Sequence, residues 1–167
     1  MAPITLRPQA PTDDAFLFEL YASTREEETA ALCWNDEQKR EFLRSQFELQ
    51  AAHYRRHYKG ASFDIVEVNG QAAGKLYVHR GEEDWRVMDI ALLPQYRSQG
   101  TGASLLRSLL TEAEGAGVSV TIHVEEHNRA RRLYERLGFR AKEQQGMYLL
   151  LERARRAASL QDPGFTR

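Results

Sequence analysis

WRVMDIALLPQYRSQGTGASLLRSLL, residues 85–110, reads as a strand, a glycine-punctuated loop and a helix. Residues 85–93 have the mixed apolar character of a mostly buried strand, with one acid, Asp89, inside it. Pro94 lacks the N–H that a central ladder needs, so the strand stops there. Arg97, Ser98, Gln99, Gly100, Thr101 and Gly102 follow, and Leu105, Leu106, Leu109 and Leu110 then recur at helical spacing. The first N–H groups of a helix have no partner within it, and the helix dipole favours negative charge at that end. A loop feeding such an end makes an anion site. Glycines let a phosphate approach the backbone closely. The competing reading is a turn that needs glycine for steric reasons alone. Neither well-known nucleotide loop fits: no Lys-Ser/Thr pair follows the glycines, and the third glycine of the dinucleotide fingerprint is missing.

Upstream of this stretch, residues 62–68 and 71–79 flank Asn69-Gly70, the strongest short hairpin signal. A turn at 81–84 then makes the 85–93 strand the third in antiparallel succession. Downstream, VSVTIHV (118–124) alternates and is rich in β-branched residues, hence a strand. It is reached from the 85–93 strand through a helix, so the two should run parallel. Residues 128–137 read as a helix stopped by Gly138, and 139–145 with 147–152 as a closing hairpin around Gly146. At the N-terminal side, residues 4–7 read as a short strand, and Thr12 is placed to cap a helix through Tyr21. Residues 22–34 read as a linking loop made acidic by Glu26, Glu27 and Glu28. Asn35 or Asp36 caps a long helix to about Tyr58. Its apolar stripe is Leu43, Phe47, Ala51, Tyr54 and Tyr58, and Gln46, Gln50, His53 and His57 form a polar band beside it.

Composition narrows the function classes. The chain has 167 residues, 42% hydrophobic and 28% charged, with net charge −1, an ordinary balance for one domain over residues 1–153. Residues 154–167 read as a polar tail. Nothing argues for a nucleic-acid partner, and no apolar run is long enough to span a membrane. Residues 1–14 lack the apolar core of a signal peptide. The single cysteine, Cys33, excludes an intrachain disulfide and a cysteine metal cluster, and suits a reducing cytoplasm. In the context Leu-Cys-Trp it reads as a small buried hydrophobe.

The 94–102 segment, with Pro94 ahead of Arg97-x-x-Gly100-x-Gly102, resembles the R-x-x-G-x-G/A segment of the GNAT superfamily of acyl-CoA-dependent N-acyltransferases. A second stretch, VEEHNRARRLYERLGF (124–139), resembles the N-x-A-x-x-L-Y-x-x-L-G-F segment of the same superfamily through Asn128, Ala130, Leu133, Tyr134, Leu137, Gly138 and Phe139. The resemblance implies a mixed, mostly antiparallel sheet of the α/β (α+β) class, flanked by helices. Its two central parallel strands, here 85–93 and 118–124, splay apart at their C-terminal ends. It implies acetyl-CoA as acyl donor, with Leu92, Leu93, Arg97, Ser98, Gln99, Gly100, Thr101, Gly102, Asn128 and Tyr134 against it. No metal is called for.

Amide formation from a thioester needs a neutral amine, stabilisation of the developing oxyanion, and a proton for the departing sulfur. The Leu92 N–H is the candidate oxyanion donor. Tyr134 is the candidate general acid: a phenol of pKa ~10 is protonated at neutral pH and can serve a thiol of ~8.5. Asp89 ranks first as base or as the group that holds the amine, ahead of Glu67 and His79. Gln46, Gln50, His53 and Asp89 are the expected acceptor contacts. The acceptor is an amine-bearing small molecule or protein, and a homodimer is compatible with the reading. A non-catalytic acyl-CoA-binding module on the same scaffold is the alternative, and a nucleotide-binding enzyme is disfavoured by the loop.

Overall fold

The computed structural model describes residues 2–156. Residues 154–156 belong to no regular element, and the rest of the expected tail, from 157 on, lies outside the described residues. The elements run β1 (Ile4–Pro8), α1 (Asp14–Thr24), α2 (Glu26–Ala30), α3 (Asp36–His57), β2 (Ser62–Val68), β3 (Gln71–Arg80), β4 (Asp84–Leu92), α4 (Thr101–Ala116), β5 (Ser119–Glu125), α5 (Arg131–Arg136), β6 (Arg140–Gln145) and β7 (Tyr148–Arg153). They build one seven-stranded sheet in the order β1-β2-β3-β4-β5-β7-β6. Every neighbouring pair is antiparallel except β4–β5, which is parallel. Among the described residues no helix is long and apolar enough to cross a membrane.

Local chemistry accounts for most boundaries. Asn69 (φ 52°) and Gly70 (φ 76°) supply the two left-handed residues that a tight hairpin requires. Asn35 opens α3 with a reciprocal cap: its side chain accepts the Gln38 N–H at 2.8 Å, and the Gln38 side chain accepts the Asn35 N–H at 3.1 Å. Arg55, Arg56 and His57 close the same helix, where positive charge suits the dipole. Gly117, at φ 70°, ends α4.

Both faces of the sheet are covered. Leu105, Leu106, Leu109 and Leu110 of α4 bury against Val87, Val120 and Ile122, in a core that also takes in Val66. Ile65, the next residue along β2, points the other way into a second cluster with Leu17, Phe18 and Tyr21 of α1 and Leu43 and Phe47 of α3.

The structure corrects four local expectations. The acidic linker folds one short helix, α2, instead of a loop. Cys33 is exposed rather than buried; α2 ends before it and α3 begins after it, so no packed element carries it inward. α1 begins at Asp14 after a short 3-10 turn, and Asp13 rather than Thr12 supplies the side-chain contact, accepting the Ala10 N–H at 2.7 Å. The expected helix at 128–137 is helical only over Arg131–Arg136. Asn128 is held ahead of it in a turn, its side chain accepting the Ala130 N–H at 2.8 Å.

The feature that positions the site is a parting of the parallel strands. β4 and β5 are in register only from Asp84–Ser119 to Val87–Ile122. Beyond that, β5 stays with β7 while β4 stays with β3. A bulge sits at the point of parting: on β3, Tyr77 faces Asp89 and Val78 faces Val87, leaving Met88 as the extra residue. The bulge resets the alternation of β4. Val87 and Ile90 therefore both join the α4-side core, and Asp89 reaches α3.

Candidate active site

The gap between the parted strands is edged by backbone. The Leu93 N–H donates to the Ala73 carbonyl at 2.8 Å. Successive residues of an antiparallel strand direct their backbone groups to opposite sides, so those of Leu92 turn away from β3 toward the gap. The Leu92 carbonyl accepts from Arg97 Nε at 2.9 Å, which leaves its N–H facing the opening. β3 and β4 approach so closely here that a Cβ on Gly74 would stand 2.2 Å from the Ala91 carbonyl oxygen.

At the end of β4, a short 3-10 turn (Pro94–Tyr96) leads into the loop. Ser98 and Gly100 both adopt positive φ, 59° and 84°, and no side chain caps α4. The Ser104 N–H is the first of the helix to reach a backbone acceptor, the Gly100 carbonyl at 3.0 Å. Preceding N–H groups are left for an outside partner, as in a backbone anion nest. Gly100 needs glycine for its φ. Gly102 does not: it has no positive φ, and nothing lies within 4 Å of where its Cβ would be. A glycine in a helix costs roughly 0.5–1 kcal/mol relative to alanine, and no packing within the chain explains this one. A phosphate drawn up against the loop would explain it, and unpartnered N–H groups at a helix start are of the kind a pyrophosphate needs. Arg97 is held from two sides, its Nε donating to the Leu92 carbonyl at 2.9 Å. Its Nη2 reaches Ser23 Oγ at 3.3 Å, so its charge is stationed beside the end of α1.

Tyr134, on α5, stands within reach of the Asp89 charge. Its ring packs edge-on to Phe139 at 6.0 Å, and the residue is 5% exposed. Among the described residues no fully buried side-chain oxygen or nitrogen lacks a partner. The Tyr134 hydroxyl has no hydrogen-bond partner among the described residues, so its oxygen is not fully buried. Burial, with the charge of Asp89 second, pushes the phenol up to about 12, and it holds its proton throughout the neutral range.

Asp89 is more tightly engaged than its sequence position suggests. Lys75 of β3, only 3% exposed, places Nζ 2.7 Å from Asp89 Oδ2. The Tyr54 hydroxyl of α3 donates to the same oxygen at 3.2 Å and lies 3.3 Å from the Met88 carbonyl. Lys75 Nζ also sits 5.1 Å from the Tyr77 ring centre, and the Tyr77 hydroxyl donates to Gln9 Oε1 at 2.6 Å. Burial, then Asp89, raises both the Tyr54 and the Tyr77 phenols.

Residues 26–147 match the family model of the acetyltransferase (GNAT) domain. The chain belongs to that family. Its fold is shared by several solved structures. PaiA N-acetyltransferase from Thermoplasma acidophilum, in complex with coenzyme A, is 16% identical with a TM-score of 0.68, over 91% of this chain and 99% of that one. The ribosomal-protein-S18-alanine N-acetyltransferase of Escherichia coli is 19% identical, TM-score 0.66, over 95% and 98%. Arabidopsis thaliana Naa50, in complex with the bisubstrate analogue CoA-Ac-MVNAL, is 15% identical, TM-score 0.60, over 90% and 98%. At these identities the likeness speaks to the fold. A search of curated proteins finds no match.

On this GNAT scaffold the remaining expected residues scatter. Gln46 lines a cavity of ≈330 Å³ with Tyr21, Arg25, Trp34 and Phe42, between α1, α2 and α3. Gln50 is half-buried, and His53 is exposed with its ring 4.4 Å from that of His57. Asn128 is exposed. Of the other base candidates, Glu67 pairs with Arg7 at 3.5 Å. His79 stands opposite Arg86, on the paired side of the bulge, its ring 5.6 Å from Tyr58. Two residues at the centre were not singled out from sequence: Lys75, and Tyr54, which counted only as part of the apolar stripe. The available signal was a lone cation inside the otherwise uncharged run AAGKLYV (72–78).

Proposed function

We propose that the protein is an N-acetyltransferase that moves the acetyl group of acetyl-CoA to a primary amine by direct attack. The observation that carries the reading is the gap itself, open on the Leu92 side, with a loop of unpartnered N–H groups at one end and Asp89, whose charge reaches Tyr134, at the other. Strands that part leave N–H and C=O groups to be satisfied from outside, and the amide-bearing pantetheine arm supplies the matching groups. The pyrophosphate would rest on the N–H groups of Ser98, Gln99, Gly100, Thr101 and Gly102, beside Leu93 and Arg97, with Asn128 and Tyr134 on the opposite flank. The Leu92 N–H would steady the carbonyl oxygen as charge builds on it. A C–N bond forms and the C–S bond breaks. The nitrogen gives up a proton toward Asp89, and the sulfur takes one from Tyr134, so the net movement is one proton from nitrogen to sulfur. Gln46, Gln50 and His53 would flank the acceptor along α3.

Two structures of like fold are named for acetylation of an amino group or carry a CoA-linked peptide, which supports an amine acceptor. The test is a calorimetric titration with acetyl-CoA, followed by an amine-library screen for free CoA release. Binding with no release across the library would favour a non-catalytic acyl-CoA-binding module. Absence of binding would overturn both readings.

A further inference from the structure

A buried lysine in a β-strand is costly unless it is paired, and nothing in the packing of β3 calls for one at position 75. Its neighbours across the sheet, Ile65 and Ala91, are apolar. The carboxylate it meets is used asymmetrically. Lys75 and Tyr54 both take Oδ2 of Asp89. Oδ1 takes no partner among the described residues, the Asp89 side chain is 19% exposed, and no unpartnered side-chain oxygen is fully buried among them. Oδ1 is therefore the free face of a clamped carboxylate. It sits at the bulge where β4 leaves β5, close enough to Tyr134 for its charge to act on that phenol.

We propose that Lys75 is a positioning residue. With Tyr54 it locks Asp89 through Oδ2, so that Oδ1 is presented to the gap as the acceptor for an N–H of the incoming amine. The groups that face Asp89 are Lys75 and Tyr77 from β3, Tyr54 from α3 and Tyr134 from α5. Lys75 is the one cation among them, and it carries the balancing charge. The Asp89 dock then recognises a nitrogen that still bears hydrogen, and it discriminates against an acceptor of the same shape that lacks one.

This inference rests on the acetyl-CoA reading, and two synthetic probes separate the two. Both are CoA derivatives alkylated at sulfur with an acetyl spacer; one ends in a propyl amide and the other in a propyl ester. They share the CoA body and differ by a single N–H at the place of the attacking nitrogen. Isothermal titration of the full chain should show the amide binding about tenfold tighter than the ester, the value of one hydrogen bond to a charged group. The preference should vanish in Asp89→Asn and fall severalfold in Lys75→Met and Tyr54→Phe. Lys75→Arg, which keeps the cation, should retain most of it. A purely structural Lys75 would weaken both probes alike and leave their ratio unchanged. Equal affinities in the wild type would overturn the dock while leaving the CoA site standing, and failure of both probes to bind would overturn the two together. Should Lys75→Met not fold, Tyr54→Phe and Lys75→Arg still decide: an unchanged preference in Tyr54→Phe, or a lost one in Lys75→Arg, refutes the clamp.

Discussion

At the α4 end of the gap, consecutive residues from Ser98 to Gly102 carry backbone N–H groups with no acceptor among the described residues. At the α3 end, side chains from β3, β4 and α3 meet around a single carboxylate oxygen. The first site is local: strand end, loop and helix start are contiguous, and glycine is the only side-chain choice it depends on. The second exists only after the sheet has formed, because Lys75 and Asp89 come together through the register of β3 with β4, and Tyr54 through the docking of α3. A backbone site tolerates most side-chain changes that leave its surface clear. A side-chain site fails when any one partner is lost.

Tyr134, whose phenol feels the Asp89 charge, gives the largest expected effect. Tyr134→Phe keeps the ring against Phe139 and removes only the hydroxyl, so folding and acetyl-CoA affinity should hold. Under single-turnover conditions the rate should fall by ~10²–10⁴, the usual worth of a positioned general acid. If the hydroxyl serves structure alone, the melting temperature drops and turnover survives; measuring both on one sample separates the cases. Next in size is Gly74→Ala. Its Cβ would collide with the Ala91 carbonyl and force apart the strands that carry Lys75 and Asp89. A loss of about 3 kcal/mol by urea unfolding is expected, at the upper end for overpacking. Wild-type stability would mean that β3 and β4 can separate freely at this point.

The same division explains what could be read from the sequence. The strand–loop–helix of 85–110, the Asn69-Gly70 hairpin and the Asn35 cap are each fixed by residues within a few positions of one another, and all were legible. So was the parallel pairing of β4 and β5, because a helix intervenes. Lys75 was not, since a strand pattern records which residues alternate and not which one lies opposite. Tyr54 was assigned to the apolar stripe correctly as to position, but its hydroxyl had no visible partner until Asp89 came beside it. The polar band of Gln46, Gln50, His53 and His57 lies one step around the helix, and at His53 and His57 it is exposed. Asn128 is expected at the site from its motif alone, and the structure shows its oxygen engaged in a turn with Ala130.

A milder pair of changes tests whether the loop is as indifferent to its own packing as its geometry implies. Gly102→Ala should leave the fold intact or stabilise it by up to ~0.5 kcal/mol through helix propensity, while acetyl-CoA binds more weakly. Gly102→Glu adds a negative charge and should weaken acetyl-CoA by about 10–100-fold, the range for losing a charge-assisted contact. Calorimetry and thermal melting on both variants give the answer. Unchanged affinity in a folded Gly102→Glu protein would move the pyrophosphate off this loop.

The smallest effect belongs to a charge pair that touches neither end of the gap. Arg7 grips Asp13 through both nitrogens at 2.9 Å. With the Ala10 N–H, it holds the Asp13 carboxyl at about 2 in the folded protein, against roughly 3.9 for an unfolded aspartate. The folded value is the lower one, so the unfolded chain takes up the proton first as pH falls. The contribution is therefore complete above pH ~4 and disappears as pH drops from ~4 to ~2. Asp13→Asn should cost about 1 kcal/mol at pH 7, with the gap between variant and wild type closing toward pH 2. Acetyl-CoA affinity should not move. A difference in unfolding free energy that stays constant from pH 7 to pH 2 would show that the Asn substitution acts through packing around α1 instead of through the Arg7 charge.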